Sequence, residues 1–142
     1  MKTRLLCNIV PTTLAISLAV MGTSLAQAQV VSINPNFRPD PLVVNGISGG
    51  QTKSNCGSIA ATPNQVIQVS ESLPYLRVNV AGGGKPTLLI DGPNGRFCVL
   101  ADADPKKNPE ISGYWQAGRY SIYVGQLSPG QHPYTLSISK QR

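Results

Sequence analysis

The chain has 142 residues, room for one domain with one core and too few for separate cofactor and substrate domains. Lys and Arg outnumber Asp and Glu by 12 to 6, but the charges are scattered and only Lys106 and Lys107 adjoin, so no basic stripe exists to track a nucleic-acid backbone. Gly (14) and Pro (12) well exceed their usual combined share of about 12%, which disfavours long helices.

The N-terminus reads as an export signal over residues 1–28. Lys2 and Arg4 make a positive start, residues 14–21 are apolar, and Ala26-Gln27-Ala28 is a small-x-small cleavage site that makes Gln29 the new N-terminus. The apolar run, diluted by Ser17, Gly22, Thr23 and Ser24, falls short of the roughly 20 residues a membrane span requires. After cleavage no membrane association is expected, and the domain belongs in a periplasm or outside the cell. Cys7 departs with the leader. Cys56 and Cys98 remain, and an even pair in a small exported domain reads as a disulfide. A C-x-x-C spacing or a nearby His, which a metal pair would call for, is missing.

Residues 29–41, with Pro35, Pro39, Pro41, Asn34 and Asn36, have the composition of a flexible lead-in. The domain is then residues 42–142. Residues 66–69 form a first strand, and Leu76, Val78 and Val80 alternate with Arg77 and Asn79 in a second. A glycine-rich turn at residues 81–86 leads into the apolar run 87–90. Asp91-Gly92-Pro93-Asn94-Gly95 turns the chain into a strand over 96–100 that carries Cys98, so this is a hairpin with Asn-Gly as its turn signal. Tyr114 and Trp115 are expected in a turn between Ile111 and Arg119. Tyr120, Ile122 and Val124 alternate with Ser121 and Tyr123. After a turn at residues 128–133, Tyr134, Leu136 and Ile138 alternate with Thr135, Ser137 and Ser139. About seven short strands with Gly/Pro punctuation predict an all-β fold, an antiparallel β-sandwich.

Candidate chemistry is sparse. His132, the only histidine, lies in a predicted loop without a nucleophile elbow, and one His with two bridged Cys cannot supply a zinc site. No catalytic set is visible, so a non-enzymatic module is expected. Asp91, Asp102 and Asp104, near Glu110, Asn94 and Asn108, are hard oxygen ligands that suit calcium; the simpler reading is carboxylates solvating turns. Tyr114, Trp115 and the outward-alternating Tyr123 are the candidate ligand-binding surface, because ring faces stack on sugars. The structural alternative has Trp115 capping the open end of the core.

Four stretches resemble the bacterial pre-peptidase C-terminal domain family. They are Thr87-Leu88-Leu89-Ile90-Asp91-Gly92-Pro93-Asn94-Gly95, Leu100-Ala101-Asp102-Ala103-Asp104, Ala117-Gly118-Arg119-Tyr120-Ser121-Ile122-Tyr123-Val124 and Tyr134-Thr135-Leu136-Ser137-Ile138. The resemblance implies a secreted sandwich of jelly-roll type, usually appended to exported peptidases and related in shape to collagen- and carbohydrate-binding modules. The segment around Cys56 is not part of that pattern. The expected function is an exported, non-catalytic module that binds an envelope or extracellular glycan. The alternative is a structural or protein-interaction domain that docks onto an exported partner such as a peptidase.

Overall fold

The computed structural model describes residue 22 and residues 28–142. The expected signal segment, residues 1–28, therefore lies almost wholly outside the described residues, as does Cys7. The described part is all-β. Its strands are β1 (Val30–Ile33), β2 (Leu42–Ser48), β3 (Thr52–Ser54), β4 (Gly57–Ile59), β5 (Gln65–Val69) and β6 (Leu73–Gly82), followed by β7 (Pro86–Gly92), β8 (Gly95–Val99), β9 (Glu110–Trp115), β10 (Gly118–Gln126) and β11 (His132–Ser139).

The strands form two sheets. In the first, β10 lies between β5 and β7, β1 and β8 are the outer strands, and the β3–β4 hairpin joins the far end of β10. The second runs β2-β11-β6-β9. Pairing is antiparallel except for β1 with β5, which is parallel. Alternating apolar residues meet between the sheets: Ile67, Val69, Leu88, Ile90, Ile122 and Val124 from one, and Leu76, Val78, Val80, Leu136 and Ile138 from the other. The period-2 pattern thus buries one face of each strand and leaves polar residues on the other.

Residues 29–41 are not a flexible lead-in. Val30 to Ile33 pair residue by residue with Val66 to Val69, and Ile33 and Phe37 are buried in the main core. The proline-rich remainder is held by the C-terminus. Asp40 Oδ1 accepts the Ser139 hydroxyl (2.8 Å) and Lys140 N–H (3.3 Å), while Lys140 Nζ donates to Pro35 O (2.6 Å) and lies 5.1 Å above the Phe37 ring. Proline composition excluded a helix, but tertiary partners 100 residues away order the segment.

The predicted disulfide is present. Cys56 and Cys98 are bonded with Cα atoms 5.7 Å apart. Because Leu88 and Ile90 point into the core, Leu89 points to the opposite face of the first sheet, beside Cys98 and Tyr123 on the neighbouring strands. There the β3–β4 hairpin folds over, and Cys56, Ile59 and Leu89 form a small second core with Cys98 and Tyr123 packed against it. The bridge fastens this covering layer, and the Thr87 hydroxyl adds a buried bond to Cys56 O (2.6 Å).

One end of the sandwich is tied by a buried amide. Gln126 Nε2 donates to Ser48 Oγ (3.0 Å) and Gly83 O (2.8 Å), and Oε1 accepts Lys85 N–H (2.9 Å) and the Ser128 hydroxyl (2.6 Å). All hydrogen-bonding positions of the side chain are satisfied, across two turns and the end of β2.

Candidate functional site: an aromatic cleft at the open edge

β8 and β9 are outer strands of different sheets on the same side of the sandwich. In the β7–β8 hairpin Gly92 pairs with Gly95, so Pro93 and Asn94 occupy the turn and only Gly95 takes positive φ (107°). The turn centre is thus one residue earlier than the Asn-Gly signal suggested. This register sets Phe97 opposite Ile90, on the core-facing side, but at the sheet's margin its ring is left 52% exposed.

Across the opening, Tyr114 and Trp115 end a strand, not the turn expected of them. Trp115 pairs with Leu73 and Gly113 with Leu76, a one-residue bulge on β6. Alternation along β9 sends Ile111 and Trp115 inward and leaves Tyr114 67% exposed. Trp115 is only 5% exposed: its Nε1 donates to Leu76 O (3.0 Å), and its ring lies 4.8 Å from Tyr120, tilted by 58°. Its face is therefore not free to stack on a ligand, which corrects that expectation; the ring closes the end of the core. The Tyr120 hydroxyl donates to Gln116 O (2.7 Å). Gly92 is required beside it, because a Cβ there would collide with the Tyr120 ring.

Together Ile90, Asn94, Phe97, Tyr114, Trp115 and Tyr120, with Ile111 and Ser112, line an apolar cleft of about 200 Å³. Burial, with the neighbouring Tyr114 adding to it, raises the Tyr120 phenol above its ordinary value, so its hydroxyl keeps its proton further into the alkaline range. Of the three aromatics expected on one surface, two line this cleft. Tyr123 does not: it is half-buried on the opposite face of the first sheet, under the β3–β4 hairpin. Phe97 and Tyr120 were missed, although the pairing of Phe97 with Ile90 across a two-residue turn was a signal for the first.

The three carboxylates named as possible calcium ligands are each engaged locally, as the simpler reading had it. Asp91 pairs with Arg96 across the hairpin (3.1 Å). Asp102 Oδ1 accepts Asp104 N–H and Asp104 Oδ1 accepts Lys106 N–H, both at 2.9 Å, so these two are engaged in local turns of their own. Among the described residues no group of three His, Cys, Asp or Glu is placed to hold a metal ion. His132 begins β11, half-buried, with Nε2 3.1 Å from Pro129 O.

A protein of Synechococcus elongatus described as uncharacterized is 43% identical over 127 residues, which span 85% of this chain and 90% of that protein. The chain belongs to the same family. No family model matches the sequence. Among solved structures, the pre-peptidase C-terminal domain of a collagenase from Bacillus anthracis superposes with a TM-score of 0.51 at 14% identity, covering 82% of this chain and all of that domain. This likeness shows the fold, a sandwich like that of pre-peptidase C-terminal domains. A periplasmic inhibitor of g-type lysozyme from Aeromonas hydrophila is less similar in shape, with a TM-score of 0.43 at 17% identity over 82% of this chain and all of that one.

Proposed function

We propose that this protein is an exported, non-catalytic β-sandwich module that binds a glycan of the envelope or extracellular space at the β8–β9 cleft. The observation that carries this reading is the pair of large rings, Phe97 and Tyr114, left mostly exposed on the two margins of one apolar cleft. Ring faces of this kind stack on the apolar faces of sugars, and Asn94 and Ser112 supply polar groups beside them. A cleft of about 200 Å³ is smaller than the roughly 300–1,000 Å³ that encloses a drug-sized ligand. It suits one ring of a polymer at a time, with neighbouring units lying on the surface. Export is supported by the disulfide, a bond of oxidising compartments.

The test is retention on purified cell-wall polymer and binding to a glycan panel. Tyr114→Ala and Phe97→Ala should each reduce retention by about tenfold or more while the melting temperature stays within a few degrees, since both side chains are largely solvent-facing. Unchanged retention in both variants defeats the reading. Trp115→Ala is unsuitable, because it empties the core.

A protein-docking role on an exported partner is the second reading. The unpaired outer edges of β8 and β9 beside the cleft favour it, since a partner strand could extend either sheet. Co-purification with an exported peptidase, lost in Tyr114→Ala and accompanied by no response to the glycan panel, would select it.

A further inference from the structure

The opening between β8 and β9 does not end at the aromatic cleft. Where Phe97 faces Ile111 and Tyr114, the two strands line the cleft; further along, Val99 and Leu100 face Pro109 and Glu110 and line a second hollow of about 470 Å³. The two hollows follow one another along the same pair of strands. Val99 lies two residues beyond Phe97 and shares its side of the sheet, and Val99 and Ile111 both pack against the main core. The floor is therefore apolar from one hollow into the next.

The walls change character along the way. In the second hollow Asn108 Nδ2 donates to Asn79 Oδ1 (3.5 Å), and Asn79 Nδ2 donates to Glu110 Oε2 (3.2 Å). This row fixes three polar side chains while Asn108 Oδ1 and Glu110 Oε1 keep their capacity to accept. Lys106 and Lys107 add two cations to the lining, against the two anions Asp102 and Glu110. Among the described residues no charged side chain lines the aromatic cleft. The charges along the whole opening therefore cancel.

We infer that the β8–β9 opening is one extended site for consecutive units of an uncharged polysaccharide. One unit stacks on Phe97 and Tyr114, and the units that follow set their hydroxyls against Asn79, Asn108, Glu110 and the two lysines. The inference rests on the glycan reading proposed above and adds to it the course of the polymer and its charge class. A sugar hydroxyl both donates and accepts, so amides, ammonium groups and carboxylates can all serve it. A polymer with a carboxylate or sulfate on every unit is attracted by Lys106 and Lys107 but repelled by Asp102 and Glu110, and a polyamine meets the reverse. Either one also loses the hydration of its charges on entering the groove, with no net attraction to offset that cost.

Calorimetric titration of the intact protein tests this with size-graded neutral oligosaccharides of glucose, mannose and N-acetylglucosamine, and with a polyuronate and a sulfated glycan. In the neutral series that binds, affinity should rise by about tenfold from disaccharide to hexasaccharide, and the acidic polymers should bind at least about tenfold more weakly than the hexasaccharide. Asn108→Ala should lower hexasaccharide affinity about fivefold and leave the disaccharide's unchanged, whereas Tyr114→Ala lowers both. Glu110→Lys, which gives the groove a net positive charge, should raise polyuronate binding by about tenfold. Affinity that does not depend on length, acidic polymers bound as tightly as neutral ones, or Asn108→Ala and Glu110→Lys without effect overturns the inference and leaves the glycan reading standing. If no glycan binds at all, both fall.

Discussion

Gln126 shows how much one buried residue can hold. Its amide joins Ser48 at the end of β2 to the turns carrying Gly83 and Lys85 on one side and Ser128 on the other. Gln126→Leu keeps the approximate shape but removes four hydrogen bonds at once, among them the buried one to the fully buried Ser48 hydroxyl. A cost of about 3 kcal/mol is expected, read as a fall of about 10 °C in a thermal melt. Tyr120 and Tyr134 act through protonation instead. Burial raises both phenols above the usual tyrosine value, with Tyr114 adding to the effect on Tyr120. The folded chain keeps these protons where the unfolded chain has released them. Stability is therefore complete below about pH 10 and declines as pH rises beyond it. Denaturant midpoints on either side of that value should show the decline, and Tyr120→Phe should flatten it.

The β3–β4 hairpin is the element most dependent on covalent help. Its own pairing is three residues long, it meets β10 at one register position, and its small core consists of Ile59, Leu89 and the bridged cysteines. The bond closes a loop of 42 residues, for which the loop-entropy model gives about 4 kcal/mol. Reduction should lower the melting temperature by more than about 10 °C. Hydrogen exchange should show the amides around Ser54 and Gly57 losing protection before those of β10. By contrast β1 is held by burial: Ile33→Ala should cost about 2–5 kcal/mol in a denaturant titration, although Ile33 lies in a segment whose composition suggested a flexible arm.

Elements differed in how plainly their sequences announced them, for a physical reason. Strands β6, β10 and β11 face the core on one side and water on the other, so their side chains alternate and were legible. β9 alternates too, but its inward positions are Ile111, Gly113 and Trp115, and a glycine in the middle hides the period. β2 has exposed Val43 and Ile47 on its outer face, which blurs inside from outside. β1, β3 and β4 are three or four residues long and owe their conformation to the strands they pair with.

Apart from the β3–β4 and β7–β8 hairpins, every strand pairing is non-local. β2 pairs with β11 and β1 with β5, while β10 must gather β4, β5 and β7. Loop closure has to precede these contacts, so refolding is expected in milliseconds to seconds rather than microseconds. Trp115, the only tryptophan and buried against Tyr120, is the intrinsic probe for a stopped-flow measurement.

The all-β class, the pairing of Cys56 with Cys98, the β7–β8 hairpin and the inward faces of the three clearest strands were legible in the residues alone. Each of these is written in local periodicity, turn chemistry or cysteine count. Which aromatic rings share a surface was settled by the packing of the two sheets: it set Phe97 and Tyr114 along one cleft, buried Trp115 beneath them and sent Tyr123 to the far side of the first sheet. It also set the carboxylates in separate local contacts and ordered the proline-rich arm. These outcomes depend on which strand ends beside which, and strand order follows from the packing of the entire chain, which no stretch of a few residues encodes.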